Sequence, residues 1–193
     1  MPSRSFCPDR FMKAAYRLFI AVEIPGPAAR ELASWQAGYL AADKALRLSP
    51  PGQLHITLIF LGPAGEKEKE LAAGELDRLG ERQSFDITIT GLVGLPRKRP
   101  HVIAAACEES TGGLKAIHDD LAAGLVSAKL YKREKRLYFP HVTIARARGR
   151  PRAGLAEIHP EPVKFTAVRV TLYNSILKPG GAVHEALKSV QLI

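Results

Sequence analysis

Two short stretches of the chain hold the residue types from which chemistry can be built. In "QLHITLIF" (53–60) a histidine and a threonine stand two apart inside an apolar run, and "PHVTIAR" (140–146) repeats the arrangement. Histidine gains and loses a proton near neutral pH, so a pair can divide the work of general acid and general base, while threonine hydroxyls donate to anionic oxygens. Of the six histidines, at 55, 101, 118, 141, 159 and 184, only His55 and His141 carry Thr at i+2. One such match means little, because threonine favours strands. Two of them, each bedded in aliphatic residues, point to a duplicated site. Side chains at i and i+2 of a strand share a face. His55 therefore projects with Thr57, and His141 with Thr143. Ile56, Leu58 and Phe60 are expected in the core behind the first pair, with Val142 and Ile144 behind the second. If the two faces meet across a cleft, the parts suit phosphoryl chemistry: one imidazole as base toward water, the other as acid toward a leaving oxygen, and two hydroxyls for the phosphate oxygens. No third histidine or carboxylate cluster stands at ligand spacing near either motif, so no metal is expected.

These motifs must be positioned by the elements around them. "YRLFIAVEIP" reads as a strand stopped by Pro25, and Ala28 to Ala42 as a helix that Pro27 opens. "LHITLIFLG" reads as a strand closed by Gly62, "EKEKELAAGELDRLGER" as an amphipathic helix, and "SFDITITGLVGL" as a half-buried strand. After the basic turn "PRKRP" the pattern begins again: "HVIAAACEE" strand, "TGGLKAIHDDLAAGLVSAK" helix, "HVTIARA" strand, "VKFTAVRVTLYNSIL" one long strand, and "VHEALKSVQLI" a last strand after "KPGGA". The order predicts an α+β fold, with two antiparallel or mixed sheets related by a rough internal duplication. Residues 1–15 are polar, contain Pro2 and Pro8, and read as a mobile leader before a single domain over 16–193.

Composition bounds the setting. The chain has 193 residues, and no apolar run approaches the roughly 18 needed to span a bilayer, so no membrane anchor is expected. Cys7 and Cys107 form neither a disulfide framework nor a ligand cluster, which fits a protein of the reducing cytoplasm. The net charge of +9 draws phosphate-bearing partners. "PRKRPH" (96–101), "YKREKR" (131–136) and "RARGRPR" (146–152) are the segments fit to hold a phosphodiester backbone, with Arg97, Lys98 and Arg99 the first candidates. Phe19 and Tyr173 can stack on a base, although aromatics in strands more often serve the core.

"HITL" and "HVTI" resemble the paired His-x-Thr-x motifs of the 2H phosphoesterases, and their neighbours resemble the LigT-like branch, the RNA 2′,3′-cyclic phosphodiesterases. "RLFIAVEIP" looks like that branch's opening strand, "LRLSPPGQLHITLIFLG" its first motif, "PHVTIAR" its second, and "LYNSILKPGGAVHEAL" its closing hairpin. The resemblance runs from about Arg17 to Ile193. It implies a bilobal fold with sheets facing across a central groove and helices outside. It also implies hydrolysis of an RNA 2′,3′-cyclic phosphate end to a 2′-phosphomonoester, without metal or nucleotide cofactor. The protein is expected to be a monomer. His55 and His141 would form the acid and base pair in either order, and Thr57 and Thr143 would clamp the phosphate. Arg146 matches the branch's HxTxxR pattern and would add a charged contact. Strict alternation, however, turns position i+5 away from the face of His141, so a bulge or strand end is required. His184 stands where relatives often carry Tyr, and Phe139 where many carry a polar or basic residue. The alternatives are a 2′-5′ RNA ligase working through the same residues, with an RNA hydroxyl in place of water, and a non-catalytic RNA-binding module.

Overall fold

The computed structural model describes residues 15–149, 158–179 and 181–193. Apart from its last residue, the expected leader lies outside them, as do Cys7, Arg150 and Arg152 of the basic loop. The described elements run β1 (Tyr16–Glu23), α1 (Gly26–Trp35), β2 (Leu46–Leu48), β3 (His55–Ala64), α2 (Glu66–Asp77), β4 (Phe85–Leu95), β5 (Val102–Glu108), α3 (Gly113–Ser127), β6 (His141–Ala147), β7 (Val163–Ala167), β8 (Arg169–Lys178) and β9 (Gly181–Gln191).

All strand pairings among the described residues are antiparallel, in the order β7-β4-β5-β6-β3-β1-β8-β9, with β2 pairing the last residues of β6, Ala145 to Ala147, beyond its contact with β3. The two expected sheets are the two halves of this order. One contains β3, β1, β8 and β9; the other contains β6, β5, β4 and β7. They join through one register pair, Ile56 with Val142. β1 lies inside its half between β3 and β8, which is why Leu18 to Val22 are all buried and read as a continuous apolar run. The buried side chains of both halves form one core, reaching from Leu18 and Ile20 through Ile56 and Val142 to Ile87 and Ile103.

The helices cover this core. α1 starts with Pro27 in its first turn, where the missing N–H costs nothing, and packs toward β7. It continues as a π-helical turn over Gln36–Leu40 rather than as a regular helix to Ala42. α2 opens with Glu68 accepting the Gly65 N–H at 2.9 Å and lies against β1, β8, β9 and α3.

Two expectations fail for physical reasons. The "VKFTAVRVTLYNSIL" run is two strands, broken at Val168: β7 pairs with β4 in one half and β8 with β1 in the other. No glycine or proline marks the break, because it is set by the change of pairing partner from β4 to β1. The short strand β2 was not foreseen; three residues are too few for periodicity to register.

Because one core serves both halves and Ile56 sits at their junction, fully buried, Ile56→Ala is expected to lower a single unfolding transition by about 2–5 kcal/mol. Urea denaturation followed by fluorescence and circular dichroism checks this. Two separate transitions, with only one displaced, would show that the halves fold independently.

Candidate active site

The pairing of Ile56 with Val142 builds the site. Both residues are wholly buried, and each is flanked by the His and Thr of its motif. In an antiparallel register, the neighbours of this pair set His55 across from Thr143 and Thr57 across from His141. One hydrogen-bonded crossing therefore interleaves two motifs that lie 86 residues apart (141 − 55).

Each strand then bulges at the third position after its histidine. On β3, Ile59 faces Ile20 and Thr57 faces Ala21, which leaves Leu58 as the extra residue. On β6, Ala145 faces Ile103 and Thr143 faces Ala104, which leaves Ile144 extra. At each bulge two successive side chains go to the core, Leu58 with Ile59 and Ile144 with Ala145, all at 4% exposure or less. The alternation resumes one residue out of phase, and position i+5 comes round to the face of the histidine. Arg146 thereby lines the groove, through the bulge that strict alternation required. Phe60 does the same, 47% exposed, which corrects the expectation that it fills the core. Its ring lies 5.0 Å beneath the Arg17 guanidinium.

The bulge on β6 is held from outside. The carbonyl of Ile144 accepts from Gln36 Nε2 at 2.6 Å and from the Ser49 N–H at 2.9 Å, and Gln36 Nε2 also donates to the Ser49 carbonyl at 2.8 Å. Gln36 is buried and sits in the π-helical turn, a place where sequence gives no reason to seek a positioning residue. Tyr138 is a second such residue. Its hydroxyl donates to the Thr57 carbonyl at 3.1 Å, and its ring stacks on His118 at 4.3 Å, tying the segment before His141 to β3.

The groove has a volume of about 1010 Å³. His55, Thr57, Thr143 and Arg146 line it; His141 stands next to these, close enough for its charge to be felt at His55. The two catalytic candidates are anchored alike. His55 Nδ1 donates to the Gln53 carbonyl and His141 Nδ1 to the Phe139 carbonyl, each two residues back and each at 2.8 Å. A carbonyl on Nδ1 fixes that proton there and leaves Nε2 as the nitrogen that gains or loses one. The His55 ring rests 4.9 Å from Phe19, which stacks on Tyr173 at 5.1 Å. This aromatic floor dries the imidazole. Burial is the largest influence and lowers the His55 pKa from 6.5 to about 4, against the Gln53 bond, which raises it, and with help from the charges of His184, Arg146 and His141.

Other expectations fare differently. Phe19 is 3% exposed, with His55, Tyr173 and His184 packed around its ring, so it supports the site rather than offering a face to a base. Arg97, Lys98 and Arg99 do not line the groove; they occupy the exposed β4–β5 turn, next to the end of β6 where the Ala147 N–H donates to the His101 carbonyl. The cations that line it are Arg17, Arg47, Arg146, Arg148 and Lys178, and among the described residues no Asp or Glu does. The 131–136 segment is likewise outside the lining. Among the described residues no three His, Cys, Asp or Glu side chains gather as a metal-ligand group, and no helix is long and apolar enough to cross a membrane. Cys107 is buried, which pushes its thiol up to about 12 and leaves it unreactive.

The profile of a family described as the 2′-5′ RNA ligase superfamily matches residues 24–177. A protein of Aeropyrum pernix named RNA 2′,3′-cyclic phosphodiesterase is 33% identical over 146 residues, covering 71% of this chain and 81% of its own. One of the same name from Methanothermobacter thermautotrophicus is 28% identical over 183 residues, covering 91% and 98%. Among solved structures, a Thermus thermophilus protein superposes with a TM-score of 0.77 at 27% identity, over 91% of this chain and 97% of that one. E. coli LigT in complex with 3′-AMP gives 0.79 at 22% identity, over 92% and 98%, a likeness of fold.

The depressed pKa of His55 has a consequence for stability. Between about pH 6.5 and 4 the unfolded chain holds a proton on His55 that the folded protein does not, so the folded state weakens as pH falls through this window. His55→Phe is expected to lose less stability than the wild type over that range in urea denaturation. In the wild type, the His55 imidazole followed by NMR should remain neutral down to near pH 4; a midpoint near 6.5 would refute the dry floor as its controlling influence.

Proposed function

The chain belongs to the 2′-5′ RNA ligase superfamily, and on that premise we propose that it hydrolyses RNA 2′,3′-cyclic phosphate ends to 2′-phosphomonoesters. One observation carries the proposal: two His-x-Thr motifs meet at a single crossing, each histidine pinned by its Nδ1 so that Nε2 is free to trade a proton. The names of the archaeal relatives support the choice of substrate. In the reaction, one imidazole takes a proton from water as its oxygen bonds to phosphorus. The bond from phosphorus to the 3′-oxygen breaks, and the other imidazole gives that oxygen its proton. Thr57 and Thr143 donate to the non-bridging oxygens, and Arg146 offsets the charge that grows there. No metal takes part. With the hydroxyl of another RNA end in place of water, the same steps would join two ends through a 2′-5′ linkage, the activity for which the family is described. All the groups come from one chain, so the protein works as a monomer, and its setting is the cytoplasm.

The rest of the RNA lies along the groove cations. Arg17, Arg47, Arg148 and Lys178 take the place first given to Arg97, Lys98 and Arg99, and without a carboxylate among the lining residues they present a single sign of charge to a phosphodiester backbone. Little in this lining reads base edges, so sequence preference is loose.

His55→Ala and His141→Ala are each expected to lower kcat by roughly 10²-fold or more with the fold intact. The assay uses a short RNA with a 2′,3′-cyclic phosphate, in EDTA, with the product isomer identified by chromatography. Near wild-type turnover in either variant, or a 3′-phosphate product, would overturn the mechanism, and inactivity in EDTA restored by a divalent metal would overturn its metal independence. A charge test separates binding from chemistry. Arg148→Gln should raise KM for a long RNA and flatten its dependence on salt over about 50–200 mM, while kcat and the KM of a cyclic mononucleotide barely move. Neutralising Arg97, Lys98 and Arg99 together should do less than this one substitution.

A further inference from the structure

A third histidine stands in the groove without a part in the mechanism. His184 lies on the edge strand β9, opposite Ser175 of β8. Its ring meets His55 edge to face, with centroids 5.2 Å apart at 87°, and meets Phe19 in the same manner at 4.8 Å. Both His184 and Ser175 line the groove. Unlike His55 and His141, it has no backbone carbonyl on Nδ1. That nitrogen is buried and has no hydrogen-bond partner among the described residues.

A polar atom buried without a partner costs about 1–3 kcal/mol, and a phenyl ring would fill this aromatic corner without that cost. A residue that weakens packing where an apolar one would fit marks a functional position. The two nitrogens then divide by environment. A proton on the dry Nδ1 would bury an unpaired donor, so Nδ1 keeps its lone pair and the N–H sits on Nε2, the ring nitrogen of this groove-lining residue that is not buried without a partner. A second proton is opposed by burial first and by the nearby Arg146 charge second, and both lower the pKa of His184. The ring is therefore a neutral donor. It has no carbonyl anchor to stabilise an imidazolium, so it is unsuited to the acid or base role of the other two.

We propose that His184 is a third imidazole of the phosphate site, donating its Nε2–H to a phosphate oxygen beside His55. Ring centroids 5.2 Å apart fall within the span of one phosphate group hydrogen-bonded to both. The inference rests on the hydrolase proposal for the identity of the anion. It adds a donor that the His-x-Thr motifs do not contain.

The test uses the 193-residue chain, 2′,3′-cyclic AMP as substrate and inorganic phosphate as a competing anion. His184→Phe keeps the ring and removes the donor. The expected result is a fall in kcat/KM of about 10- to 100-fold, the scale of a hydrogen bond to a charged group, with a parallel rise in the phosphate inhibition constant. Its melting temperature should be unchanged or higher, since an unpaired nitrogen has left the interior. His184→Gln restores an N–H near the Nε2 position and should recover most of both losses. Wild-type kcat/KM and phosphate inhibition in His184→Phe would overturn the proposal, as would a folded His184→Gln no better than the Phe variant. If the wild type does not turn over the cyclic substrate, the hydrolase proposal falls. Phosphate binding to the three proteins by calorimetry then still decides the matter: weakened by Phe and recovered by Gln supports the donor, and equal binding refutes it.

Discussion

The structure depends on a single backbone crossing. Ile56 and Val142 pair where the two half-sheets touch, and this antiparallel contact turns two local motifs into one site. Alternation alone gives each strand a histidine and a threonine on one face. The crossing makes those faces the same face, with each imidazole set across from the other motif's hydroxyl. The residues between them, wholly buried, belong to the common core, so the geometry of the site is fixed by the same packing that holds the halves together.

The paired bulges extend this logic. An extra residue after each motif reverses the phase of the strand and brings position i+5, Phe60 on β3 and Arg146 on β6, onto the floor of the groove. The duplication preserves the device and varies its content: an apolar ring beneath a guanidinium on β3, and a guanidinium itself on β6. A bulge disrupts the ladder and leaves backbone groups to be satisfied elsewhere. Gln36 and Ser49 supply that satisfaction on β6 by donating to the Ile144 carbonyl. The helical turn that carries Gln36 thus supports the site, though none of its residues lines the groove.

Electrostatics at the floor are a balance between drying and anchoring. Phe19 and Tyr173 remove water from one side of His55, which favours the neutral ring, while the Gln53 carbonyl favours the charged one. Burial prevails, so the free protein holds a neutral imidazole among like charges from Arg146 and its neighbours. An anionic phosphate opposes that field, and a negative charge beside an imidazole raises its proton affinity.

The sequence by itself determined the local parts. Most strands and helices follow from apolar periodicity and from Pro25 and Pro27, and β6 appears over the residues read from "HVTIARA"; β3, expected to close at Gly62, instead runs on to Ala64, because its last residues pair with Tyr16 and Arg17 of β1. His55, Thr57, His141 and Thr143 were legible because period two obliges residues i and i+2 to share a face, whatever surrounds them. The tertiary structure decided everything that depends on which strand lies beside which. The break at Val168, the bulges at Leu58 and Ile144, and the turning of Phe60 into the groove are relations between strands, and one strand's sequence carries no record of its partner's register. For the same reason the cations of the groove are scattered through the chain, at 17, 47, 146, 148 and 178, while the conspicuous run at 97–99 sits outside it. A cluster in sequence shows that charge is exposed. Only the packing of β1, β2, β6 and the β8–β9 turn around one groove makes the charge local.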